Sequence, residues 1–152
     1  MTTKTKIKTD ILIKSVLRIL LGAALLFAGI GHLTFARTEF QAQVPEWLPM
    51  NADLVVLLSG FVEIALGLLL IFLQKYKIQA GLLTALFFVL IFPGNISQYV
   101  NQVDAFGINT DAARFNRLLF QPLLILWALW STGFLNKKRV ENNSQTMFNK
   151  SE

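Results

Sequence analysis

The chain has no cysteine, which excludes a dithiol redox centre and any thiolate metal site within it. It has a single histidine, His32, and an ordinary zinc or haem site needs further nitrogen or sulfur ligands that are missing here. Charged residues are also scarce, at 15% against about 25% in an ordinary soluble domain. What replaces them is apolar. Hydrophobic residues make up 54% of the 152 residues and the mean hydropathy is +0.53, values that favour a single membrane domain. The net charge of +5 comes from basic residues that flank apolar runs and form no continuous patch. That pattern suits anionic lipid headgroups and argues against nucleic acid as a partner.

The stretch Leu54 to Phe72 is nineteen residues long with one ionisable side chain, Glu63, at its tenth position. As a helix it covers about 28 Å, close to the roughly 30 Å hydrocarbon core of a bilayer. A charge at mid-depth costs about 2.5 to 3.5 kcal/mol on insertion scales, so Glu63 is expected to face protein, water or a ligand. Three further apolar runs predict an all-α four-helix transmembrane bundle over residues 16–135, with spans at about 16–35, 54–72, 78–99 and 113–135. Residues 1–15 read as a basic tail and 136–152 as a polar one. The first run is too long for the apolar part of a signal peptide and lacks a small-residue cleavage site, so it is expected to remain as a helix. Arg18, one turn inside it, is expected to snorkel to the headgroups. Between the first two spans, Phe40, Val44, Trp47 and Leu48 fall on one helical face, broken by Pro45 and Pro49. This predicts a short interfacial segment lying over the bundle as a lid.

At about 100° per residue each span carries one stripe of small and polar residues. The stripes are Arg18, Gly22, Leu25, Gly29 and His32; then Ser59, Gly60, Glu63 and Gly67; then Gly81, Thr84, Asn95, Gln98 and Gln102; and finally Arg114, Arg117, Gln121, Ala128 and Thr132. Small residues let membrane helices approach and polar ones are hidden from lipid, so the four stripes should face one another. Along the membrane normal the polar members concentrate at one end. His32, Ser59, Glu63, Asn95, Gln98, Arg117 and Gln121 are thus candidates for a single pocket in the outer half. Pro93 and Pro122 lie beside it, each removing an amide from a helix interior. If the N-terminus is cytoplasmic, eleven basic residues fall inside and three, Arg37, Arg114 and Arg117, outside. This charge bias predicts a multi-pass protein of the cell (inner) membrane with both termini cytoplasmic.

GIGHLTF, VPEWLP, SGFVEIALGLLL, FPGNIS and RLLFQP, in that order, resemble the DoxX family of small bacterial and archaeal membrane proteins. The likeness covers about Val16 to Leu135, and the family's common form of the fourth motif has alanine where this chain has Gly94. The resemblance implies a four-span bundle and, through members named for quinol-linked oxidase and thiosulfate to quinone systems, contact with quinone. On that reading His32 or Gln121 donates to a quinone carbonyl, while Glu63 and Arg117 handle a proton or an anion. Ser59, Asn95 and Gln98 complete the ligand-binding set. No flavin, haem or metal motif is present, so no cofactor is expected to be covalently held, and the redox centre would sit on a partner protein. Two other readings of the same residues stand beside it. Glu63 and Arg117 can form a structural ion pair in a non-enzymatic accessory bundle, alone or as a homo-oligomer, or the polar core can conduct a proton or small solute.

Overall fold

The computed structural model describes residues 3–136, and all regular structure in that range is helical. The helices are α1 (Thr3–Leu33), α2 (Arg37–Gln41), α3 (Ala52–Phe72), α4 (Lys77–Val100) and α5 (Asp111–Thr132), with a 3-10 turn at Gln74–Tyr76 between α3 and α4. Three segments are long and apolar enough to cross a membrane: Ile7–Leu33, Ala52–Phe72 and Gln74–Val100. Local chemistry sets the helix ends. The Asn51 side chain accepts from the amides of Asp53 and Leu54 to start α3, and Thr110 accepts from Ala113 to start α5. Gly133, at φ +86°, closes α5 in the left-handed conformation that favours glycine.

One boundary departs from expectation. The basic segment read as a tail is already helical from Thr3. No proline or glycine interrupts the chain before Gly22, and an Asp10–Lys14 pair at 2.9 Å staples adjacent turns, so the apolar run carries its helix back through the basic residues. The polar C-terminal tail, beyond Asn136, lies outside the described residues.

The long helices associate as two tight pairs, α1 with α3 and α4 with α5, and the pairs meet along looser seams. Glycine makes the first pair tight. A Cβ at Gly22 would stand 2.9 Å from the Gly67 carbonyl oxygen, and one at Gly60 would stand 3.0 Å from the Gly29 carbonyl oxygen. Two glycine pairs seven residues apart thus bring the backbones together. In the second pair Gly81 receives the Thr132 side chain, and Ala85 and Ala128 are both buried.

The distribution of side chains is the reverse of a soluble protein's. Arg18, His32, Glu63, Asn95, Gln98 and Arg114 are buried, while Phe27, Phe61, Leu90 and Leu123 are more than half exposed. Arg18 corrects the snorkelling expectation. It is 2% exposed, donating to the Leu70 carbonyl and, at 3.0 Å, to Gln74 Oε1. It satisfies a carbonyl in the last turn of α3 that no helical amide reaches, and this holds it inside the bundle. The same contact sets Arg18 beside the turn that carries Lys75 and Lys77, whereas Arg37, Arg114 and Arg117 lie at the opposite end of the helices.

Candidate functional site

Against the apolar cluster of Leu21, Leu25, Leu66, Leu70 and Phe88, three of which line it, the two helix pairs separate around a cavity of about 790 Å³. Its size is within the range of small-molecule sites. All four long helices line it, and α2 with the segment after it closes one end through Phe40, Val44, Pro45, Trp47 and Leu48. The lid face read from the spacing of apolar residues is therefore the face that covers the cavity. Its anchors lie at both margins. Arg37 and Gln41 bond the Asp53 carboxylate at the start of α3, the Gln41 contact at 2.6 Å, and the carboxylate holds the Arg37 pKa above its ordinary value. Glu39 accepts from the Phe106 amide in the loop before α5. Gly94 matters here, since a Cβ would stand 2.8 Å from the Gln43 carbonyl oxygen. Glycine lets the lid rest directly on α4.

Most of the wall is apolar, and a few polar groups converge on it. His32 Nδ1 and Glu63 Oε2 lie 2.7 Å apart, both side chains below 10% exposure, and neither atom has another partner among the described residues. The Phe40 ring packs on the imidazole with centroids 3.5 Å apart, sealing the pair from the lid side. The imidazole is the group that faces the buried carboxylate here. Leaving the carboxylate charged and unmatched away from water would cost several kcal/mol.

The expected Glu63–Arg117 ion pair does not form. Both residues line the cavity, but Glu63 is taken by His32 from the adjacent, tightly packed helix α1, and Arg117 is on α5 in the other pair. The Arg117 guanidinium instead lies 5.3 Å from the centre of the Phe106 ring, whose edge meets Phe40 at 4.7 Å.

Asn95 and Gln121 form a relay between α4 and α5. Asn95 Nδ2 donates to Gln121 Oε1 at 2.9 Å, and Gln121 Nε2 donates to the Phe88 carbonyl at 2.7 Å, in the turn before Pro93. They line the cavity, yet these bonds are spent on holding a proline-containing helix to its neighbour. Ser59 also lines the cavity and is half-buried. Gln98 is a correction: it is absent from the cavity wall and donates to the Val103 carbonyl at 3.3 Å, closing the end of α4. It lies three residues past Asn95, still inside α4 and buried, but beyond the cavity. Gln102, placed on the same stripe, lies beyond α4 in an exposed turn at φ +53°. The spacing of apolar residues pointed neither to Gln43, which lines the cavity from the lid, nor to Phe106, which packs against Phe40 and Arg117 without lining it. Both are in irregular segments, where helical spacing carries no signal.

A family model, Domain of unknown function (DUF8561), matches residues 21–132. The chain belongs to the DUF8561 family. The matched range runs from the first cavity residue, Leu21, past the last, Leu124, so the cavity lies wholly within the DUF8561 domain. No curated protein and no solved structure matches the chain. No cluster of metal-ligating side chains occurs among the described residues.

Proposed function

We propose that this DUF8561 protein is a four-span protein of the inner membrane, with both termini cytoplasmic, that binds a quinone or similar small lipid-soluble molecule in its outer-half cavity. It serves as a subunit of a redox system whose redox centre is on a partner. The observation that carries the reading is the pairing of a buried carboxylate and imidazole on the wall of an otherwise apolar cavity of about 790 Å³. A quinone ring suits such walls, and its carbonyl accepts a hydrogen bond and, on reduction, a proton from the His32–Glu63 pair.

The fourth span is supported by α5. Its 22 residues cover about 33 Å; Arg114, Gln121, Ser131 and Thr132 face inward, while Phe115, Leu119, Leu123 and Leu126 face out. Orientation follows from the excess of basic residues at the Lys75–Lys77 end. The redox assignment rests on the resemblance to the DoxX family. An accessory, packing role is favoured for Arg18, Asn95 and Gln121, whose hydrogen bonds close within the chain.

The test is lipid extraction of gently purified protein followed by mass spectrometry, comparing the wild type with Glu63→Gln and His32→Ala. Quinone in the wild type and its loss in both variants at unchanged helicity is the expected result. Absence of quinone from every preparation would remove the redox reading.

A further inference from the structure

Arg117 differs from the other arginines of the described residues. Arg18 is engaged by Leu70 and Gln74, Arg37 by Asp53, and Arg114 by Asp104 and Asp111. Arg117 lines the cavity with only the face of Phe106 against its guanidinium. Glu63 does not answer it, because its carboxylate meets His32 at 2.7 Å and no ion pair joins it to Arg117. Arg117 thus stands on the cavity wall with no carboxylate in ion-pair contact among the described residues. A second unmet donor is in the same wall, where the Gln43 amide nitrogen is buried without a partner. The half-buried guanidinium has no counterion in contact, and its planar fork matches an anionic oxygen group.

We infer that the cavity takes a lipid-soluble molecule whose head group carries one negative charge on oxygen, with that oxygen on Arg117. The inference rests on the reading of the cavity as a ligand site and narrows the ligand's chemical class. One cation sets one negative charge. The carboxylate of a long-chain acid and the ionised hydroxyl of a hydroxyquinone share this chemistry. The lid covers the end of the cavity, but Leu58, Val62 and Leu90 line it while remaining exposed along the α3–α4 seam. The apolar tail leaves by that seam, into the bilayer.

Trp47, on the cavity wall, reports occupancy. The experiment titrates purified protein in nanodiscs with two matched pairs and records the part of the tryptophan quenching that Trp47→Phe abolishes. One pair is a brominated long-chain carboxylic acid and its methyl ester; the other is a 2-hydroxy-3-alkyl-naphthoquinone and its methyl ether. In the wild type the acidic member of at least one pair is expected to bind about tenfold tighter than its neutral counterpart, and which pair does so separates the two sources. Arg117→Gln is expected to erase the preference and Arg117→Lys to keep most of it, which separates charge recognition from a folding defect. Equal binding of acid and neutral partner in the wild type would overturn the inference and leave the cavity reading standing. Saturable quenching by none of the four compounds would overturn both.

Discussion

Gly67→Ala isolates the contact that sets the α1–α3 distance. The added Cβ would stand 2.7 Å from the Gly22 carbonyl oxygen and 2.9 Å from Leu26 Cγ. A backbone oxygen inside a helix cannot swing aside, so the helices must separate, which also loosens the Gly29–Gly60 contact seven residues away. Against a backbone oxygen that cannot move, overpacking takes the upper part of its usual range, about 2 to 3 kcal/mol, and alanine's helix propensity returns about 1 kcal/mol. The expected net loss is about 1 to 2 kcal/mol, roughly a 5- to 30-fold fall in the folding equilibrium. Reversible unfolding in mixed micelles of rising SDS fraction, followed by far-ultraviolet circular dichroism, measures it. Leu86→Ala, at a position 52% exposed, is the control and is expected to change stability by less than about 0.5 kcal/mol. If Gly67→Ala is as stable as the wild type, or Leu86→Ala loses as much, backbone approach is not what holds this pair. Gly60→Ala adds a second readout, since its Cβ would stand 2.7 Å from His32 Cβ. It should disturb the His32–Glu63 pair and ligand retention more than Gly67→Ala does.

Arg18→Met strands the Leu70 carbonyl and is expected to cost about 1 to 3 kcal/mol in the same unfolding assay; a snorkelling arginine would give no loss. Double-mutant cycles should find coupling of about 0.5 to 1.5 kcal/mol for Asn95 with Gln121, and less than about 0.5 kcal/mol for Glu63 with Arg117, with the opposite ranking restoring the ion pair. Gly94→Val drives a side chain into the Gln43 carbonyl and should lift the lid, read as increased quenching of Trp47 by aqueous iodide. Unchanged quenching would mean that the lid does not rest on α4.

The helical class, the three long apolar segments and the inward faces were legible from the sequence, because small and polar residues recurring at the 3.6-residue period mark the one face of each helix that packs on its neighbours. Gly22, Gly29, Gly60 and Gly67 fall on two stripes by spacing alone, and the same glycines meet across α1 and α3. Six of the seven expected pocket residues line one cavity for the same reason. Partner choice was not legible. Angular position places Glu63, Arg117 and His32 on inward faces, but which of them touch depends on interhelical distance and depth, and these are set by the glycine contacts that draw α1 onto α3. Tertiary packing therefore gave Glu63 to His32 and left Arg117 on Phe106. It likewise buried Arg18 against α3, since only a neighbouring helix end can offer a free carbonyl. The lid's seat on Gly94 depends on the irregular path of residues 42–51, whose course follows from what it packs upon rather than from any repeat in its own sequence.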